Sequence, residues 1–414
     1  MEILSYIIRR ENILFIILVT LLFAYLFSEL FKYFKLPRVV GQIMAGMLIG
    51  VFEAKFRIFT PDTRSLFDFL TNIGIILLFF FVGLEIDLKK FRKNIKESAM
   101  ISLFNTFFPL AFGFLVSRVV FQLDNISSLV VGIALAVSSQ AISLDILEES
   151  NLLKTKLGNL VMTTGAVDDV FELFAISIIL VIFNVSLEGG TSLKQFAFSI
   201  MIFVAAITIL RYSLIPLTLK MFNRDQSRDV LFMGGLIIVL FMAYLSDLLG
   251  ISSFVGSLVA GIMVRQTLIN VEHHKPWTRN ELSHSIHILS FGFLIPLFFV
   301  NVGLKTSLGS ITQNFGMAMA FLAIDLIGTI FGTLVGVAFS GGTVQEGLIV
   351  GWAVAPKGDT ELVIATIALA GNLINQNVYS AIVTVALLST LISPIVFKFL
   401  IKRYKHRLTT IQKG

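Results

Sequence analysis

Asp168 and Asp169 stand side by side in VMTTGAVDDVFELFAISIILVI, residues 161–182, a stretch that is otherwise apolar and long enough to cross a bilayer. A charged aspartate near the centre of a membrane costs about 2.5–3.5 kcal/mol on insertion scales, so an adjacent pair points to a site that holds a cation or a proton. Glu172 lies on the same broad helix face, which brings three carboxylates within reach of one another. Carboxylates crowded where water is scarce repel each other, and a proton on one of them can be traded for a metal cation. The bland alternative is a pair permanently neutralised by Arg211 or Lys357, although nothing in the sequence aligns those cations with it.

Further polar residues fall at mid-depth. Apolar runs between charged or Gly/Pro/Asn-bearing breaks predict helices near 12–34, 38–53, 66–86, 97–121, 126–149, 155–184, 192–221, 228–249, 251–266, 280–304, 310–340, 344–370 and 376–403. The fifth is interrupted by Ser138-Ser139-Gln140 and the twelfth by Pro356-Lys357-Gly358-Asp359, where proline removes a donor and glycine relaxes the backbone. Lipid cannot satisfy the freed backbone groups, so both breaks must face protein or a wet cavity, where broken transporter helices place ion sites. Ser139 and Gln140 either ligate a cation or hydrogen-bond a neighbouring helix. Lys357 and Asp359 each oppose a half-helix dipole end, and for these two and Glu361 a structural role is preferred to ion coordination. Asp325, halfway along the eleventh helix, either bonds a broken helix or lines the ion path. His273, His274, His284 and His287 gather at the connection after the ninth helix and read as solvated loop residues, with pH sensing as the alternative.

Composition decides the class. Hydrophobic residues make up 56% of the 414 and charged residues 14%, outside the range of soluble domains. The expectation is an all-α polytopic membrane protein of about thirteen transmembrane helices, one domain over 1–414 with no soluble regulatory domain and no GxGxxG after a strand. The first apolar run, 13–34, exceeds a signal h-region and lacks a small-residue cleavage site, so it should remain as a helix. The absence of cysteine excludes disulfides and thiolate metal sites. No cofactor and no nucleic-acid partner are expected. With the basic run Lys402-Arg403-Tyr404-Lys405-His406-Arg407 in the cytoplasm, thirteen crossings put the N-terminus outside a cell membrane, and most Lys and Arg then fall on the cytoplasmic side.

An internal echo refines the architecture. LPRVVGQIMAGMLIG (36–50) resembles ISSFVGSLVAGIMVR (251–265), and Val82-Gly83-Leu84 matches Val302-Gly303-Leu304 at nearly the same offset. Helix two then corresponds to nine and helix three to ten. An odd shift of seven crossings inverts the second copy, giving repeats of six helices at about 12–184 and 228–403 joined by a linker helix at about 192–221. The alternative is that Gly-x-x-x-Ala-Gly spacing reflects only close helix packing.

The chain resembles monovalent cation:proton antiporter family 2, the Kef-type and NapA-like sodium/proton antiporters. The resemblance spans nearly the whole length. It rests on Leu36-Pro37-Arg38-Val39-Val40-Gly41-Gln42 with Ala45-Gly46, Phe81-Val82-Gly83-Leu84-Glu85, Ala166-Val167-Asp168-Asp169-Val170, Pro296-Leu297-Phe298-Phe299-Val300 with Val302-Gly303-Leu304, and Pro356-Lys357-Gly358-Asp359. It implies an NhaA-like fold with two crossed broken helices, and a homodimer whose core domain moves against a dimerisation domain. It also implies that Asp169 carries the cation or the proton while Asp168 assists. Relatives with paired aspartates often carry a lysine in an Ile-Gly-Lys-like context, where this chain has Ile327-Gly328-Thr329, a departure that leans toward electroneutral exchange. Glu172 departs from the usual small or apolar residue, and either restores the site's charge balance or binds protons itself.

The leading reading is secondary active exchange of Na+ or Li+ for H+ by alternating access, not an enzymatic activity. A K+/H+ antiporter, or a Na+-coupled organic solute symporter on a similar fold, is the alternative. Intramembrane aspartyl proteolysis expects its aspartates on separate facing helices with a Gly-x-Gly-Asp context, whereas Asp168 and Asp169 point about 100° apart on one helix. A potassium channel would need filter-like carbonyl loops, and none is legible.

Overall fold

The computed structural model describes residues 13–34, 36–85, 95–139, 141–150, 152, 155–165, 167–168, 171, 201–203, 205, 207–209, 212, 228–249, 253–270, 276–306 and 308–410. The named helices among them are α1 (Ile13–Tyr33), α2 (Arg38–Phe56), α3 (Pro61–Glu85), α4 (Ile95–Val119), α5 (Asn125–Ala136) and α6 (Ala141–Glu149), then α7 (Arg228–Leu248), α8 (Ser253–Asn270) and α9 (Pro276–Leu289). After a π turn at Ser290–Leu294 come α10 (Ile295–Lys305), α11 (Leu308–Gln313), α12 (Phe315–Phe339), α13 (Val344–Val354), α14 (Asp359–Ala370) and α15 (Gln376–Thr410). Residues 156–165, 167–168 and 171 are also helical and carry Asp168. Eight described helical segments are long and apolar enough to cross a membrane, the stretch through α9, the π turn and α10 counting as one, and α5, α13, α14 and the Ser253–Gln266 part of α8 are shorter apolar pieces.

The helix limits depart from the apolar runs where polar residues do the capping. α3 starts at Pro61 because Thr60 and Thr63 cap it reciprocally: the Thr60 N–H donates to Thr63 Oγ1 at 2.9 Å, and the Thr63 N–H donates to Thr60 Oγ1 at 3.3 Å. Proline suits the first helical position, whose N–H has no partner within the helix. The tenth predicted helix begins earlier, at Pro276, and widens into the π turn before α10. α15 continues past the apolar run through Thr410. Most of the expected linker helix lies outside the described residues.

The chain divides into two compact units interleaved in sequence. The first comprises Met1–Phe27, Gln42–Asp87 and Leu180–Leu304. Its largest core buries Phe80, Val239, Met242, Ala260 and Ile286 from α3, α7, α8 and α9. Its closest helix contacts are made by the glycines of the sequence echo. Gly46 backs onto α10, where a Cβ would meet Gly303 Cα at 2.9 Å, and Gly83 backs onto α8, where a Cβ would meet Gly261 Cα at 3.0 Å. Exchanging each glycine for its echo partner turns one contact into the other.

The second unit comprises Ser28–Gly41, Leu88–Ile179 and Lys305–Gly414. Here α12 lies against α4 along Gly328, Gly332 and Gly336, whose hypothetical Cβ atoms would meet Pro109, Phe104 and Ile101. Small residues one turn apart let two membrane helices approach to backbone contact. α4 in turn packs on α5, where a Cβ on Gly113 would lie 3.1 Å from Gly132 Cα. α5 is started by Asp124, which accepts the N–H groups of Ile126 and Ser127. Burial works against its charge, but the Ser127 hydroxyl and these N–H groups outweigh it and hold Asp124 below the usual carboxylate value.

Filling the tightest glycine contact should therefore be costly. Gly303→Val should destabilise the protein by about 1–3 kcal/mol or more in detergent unfolding, as overpacking does. Gly292→Ala, where a Cβ meets nothing within 4 Å, should be neutral.

Candidate functional site

Two helix breaks meet in the second unit. After α5 the chain leaves the helix at Val137, which is extended (φ −74, ψ 140), and α6 does not begin until Ala141. After α13 it leaves the helix at Ala355 and rejoins at Asp359. The two breaks are hydrogen-bonded directly, Ser139 N–H to Pro356 O at 2.8 Å. Gly358 makes the approach possible, since a Cβ there would stand 2.5 Å from Ser139 Cβ.

Each break leaves helix-end carbonyls without intrahelical donors, an expensive condition in a buried, water-poor place. The structure satisfies them reciprocally. Lys357, with its side chain fully buried, donates from Nζ to Leu135 O at 2.7 Å and to Val137 O at 2.6 Å, so it caps the end of α5. Ser143 of α6 donates to Ala353 O at 2.6 Å and so caps the end of α13. Hydroxyls of α15 serve the second break: Ser389 accepts the Lys357 N–H at 3.3 Å, and Thr390 donates to Lys357 O at 2.5 Å. The third Lys357 donor goes to Asp325 Oδ1 at 2.8 Å, a fully buried ion pair that α12 contributes. Thr329, one turn on, donates to the same oxygen at 3.4 Å.

Asp168 lies beside the first break and is 2% exposed. Its Oδ1 accepts the Ser102 hydroxyl, and its Oδ2 accepts Asn105 Nδ2 and Ser138 Oγ, each at 3.1 Å. Two of these three partners come from α4. Asn105 Oδ1 is buried with no donor among the described residues, and so is Thr164 Oγ1, four residues before Asp168 on its own helix. Carboxylate, hydroxyl and amide oxygens gathered in one buried place form a hard donor set suited to an alkali cation or a proton, and unsuited to soft metals.

Of the residues singled out from sequence, Asp168, Ser139, Lys357, Asp325 and Thr329 lie in or next to the two breaks. Asp359 opens α14, and its side chain is not described. Asp169, Gln140, Glu172 and Arg211 lie outside the described residues, as do His273 and His274. His284 and His287 are exposed on α9, where His287 stacks on Phe291 at 4.5 Å. Lys357 does more than oppose the dipole of its own half-helix, because its ammonium closes the other broken helix. Sequence reading missed Ser102 and Asn105. Their signal was two polar residues one turn apart in the apolar run of α4, with Asn105 at the position that the echo offset matches to Asp325.

Residues 17–403 match the family model described as "Sodium/hydrogen exchanger, transmembrane". The chain is 30% identical over 381 residues to a Na+/H+ antiporter of Enterococcus hirae, covering 91% of this chain and 94% of that protein. It is 26% identical over 365 residues to the Na+/H+-K+ antiporter GerN of Bacillus cereus, covering 88% and 89%. The fold is similar to the structure of the sodium proton antiporter MjNhaP1 from Methanocaldococcus jannaschii, with a TM-score of 0.64 at 13% identity over 96% of this chain and 97% of that one.

The Lys357–Asp325 pair should behave as a coupled unit. Lys357→Met should cost about 3–5 kcal/mol, because it strands a buried carboxylate. Asp325→Asn in the same chain should recover part of that loss, a double-mutant cycle read by unfolding in mixed micelles.

Proposed function

The chain belongs to the sodium/hydrogen exchanger family of transmembrane proteins, and from that premise we propose that it exchanges Na+ or Li+ for H+ by alternating access, the two cargoes competing for Asp169 with Asp168 assisting. The observation that carries this reading is the buried oxygen cluster at the first helix break: the Asp168 carboxylate with the hydroxyls of Ser102 and Ser138, and the buried oxygens of Asn105 and Thr164, which have no partner among the described residues. A desolvated carboxylate surrounded by rotatable hydroxyls can bind a cation with the hydroxyl oxygens turned inward. It can equally bind a proton with those oxygens turned away. One occupant excludes the other, which is the minimum requirement of exchange.

Asp169 is the main carrier in this reading. Asp168, hydrogen-bonded to neutral side chains, assists it as the second carboxylate of the site. Ser139 and Gln140 supply further oxygens at the break, and Glu172 adds charge to the same helix face. Lys357 and Asp325 hold the two breaks together and carry no cargo. The touching breaks favour two crossed discontinuous helices. The exchanged glycine contacts of the first unit favour two inverted repeats, a design in which such crossings house ion sites. The basic C-terminal run favours a cytoplasmic C-terminus with the N-terminus outside. The family resemblance favours a core domain that moves against a dimerisation domain, hence a homodimer. Thr329 at the position of a further lysine favours electroneutral exchange.

Reconstitution in proteoliposomes tests the assignment. Na+-driven proton movement should be present in the natural chain and abolished in Asp169→Asn. Full exchange in that variant refutes the assignment, and a K+-driven flux larger than the Na+-driven one would transfer it to K+/H+ exchange.

A further inference from the structure

Glu361 lies in the first turn of α14, four residues after Lys357 of the second break. It is 0% exposed, and neither carboxylate oxygen has a hydrogen-bond partner among the described residues. The obvious compensating cation is already spent, since an ammonium has three donors and Lys357 gives them to Asp325, Leu135 and Val137. Among the described side chains, the charged groups acting on Glu361 are Lys357 and Asp325. Of the helices packed on α14, α5 contains no titratable residue, while α15 contains Tyr379 and a basic group that begins at Lys398. Lys357, Asp325 and Glu361 would together bear a net negative charge if all were ionised. An ionised carboxylate sealed from water with no donor costs several kcal/mol, and such groups are kept neutral by a proton.

We propose that Glu361 is a second proton-binding site, distinct from the Asp168 break, and that it is occupied by a proton in this conformation. The proposal deepens the exchange reading by giving the proton a second residence. The link to the first site is short. Lys357 holds Val137 O, and the next residue, Ser138, holds Asp168. When a change of conformation admits water to Glu361, its O–H bond breaks, the proton passes to that water, and the negative charge left on the carboxylate competes for Lys357 with the two carbonyls. Lys357 then slackens its hold on the end of α5. Deprotonation at Glu361 is thereby felt at the Asp168 site through one stretch of backbone.

Infrared spectroscopy of the full chain in lipid reads protonation without requiring transport, so its outcome is independent of the antiport assay. At neutral pH the natural chain should show a carbonyl stretch of a buried protonated carboxyl that moves when glutamate is labelled with heavy carbon. The band should be lost in Glu361→Gln and retained in Asp168→Asn. Glu361→Asp, which keeps an acid, should retain a protonated-carboxyl band that responds to aspartate labelling instead, and so covers the case in which the glutamine variant does not fold. Absence of a glutamate-sensitive band in the natural chain, or its persistence in Glu361→Gln, would overturn the proposal.

Discussion

The arrangement depends on one contact, the Lys357 ammonium seated on the carbonyl end of α5. A helix that stops inside a membrane protein exposes carbonyls that neither lipid nor a neighbouring helix backbone can satisfy. Lys357 answers with donors at 2.6 and 2.7 Å and a full positive charge opposite the negative end of the helix dipole. A bare ammonium there would itself be unaffordable, and Asp325 at 2.8 Å neutralises it. The two breaks, the placement of Ser138 and the surroundings of Asp168 follow from that triangle of interactions.

Asp168 occupies a different electrostatic setting from Asp325. The partners it is seen to hydrogen-bond are neutral: two hydroxyls and an amide, of which two come from α4. A carboxylate held by a lysine is locked. One held by rotatable hydroxyls remains available to a cation. The glycine ridge Gly328, Gly332 and Gly336 brings α4 and α12 together, so a locked acid and an available one are organised by a single pair of touching helices.

Much of this was legible in the chain. The mid-membrane charges, both breaks and the glycine echo could be read directly, because a charge or a proline in an apolar run has few inexpensive explanations. The partnership of Lys357 with α5 could not be read, because a lysine side chain of four methylene groups reaches across to another helix and sequence records no such reach. Ser102 and Asn105 escaped for the opposite reason. Isolated small polar residues are common in membrane helices, and only their meeting with Asp168 distinguishes them. The start of α3 at Pro61 was hidden because its first turn is polar, and apolar periodicity does not register a turn held by Thr60 and Thr63.

Exchange of this kind requires cation and proton to compete for one buried carboxylate site. Calorimetric titration of the solubilised protein with Na+ in buffers of different ionisation enthalpy tests it most directly. Each cation bound should release protons, and affinity should weaken steadily as the solution is acidified. Na+ binding with no proton release and the same affinity at every pH would contradict it.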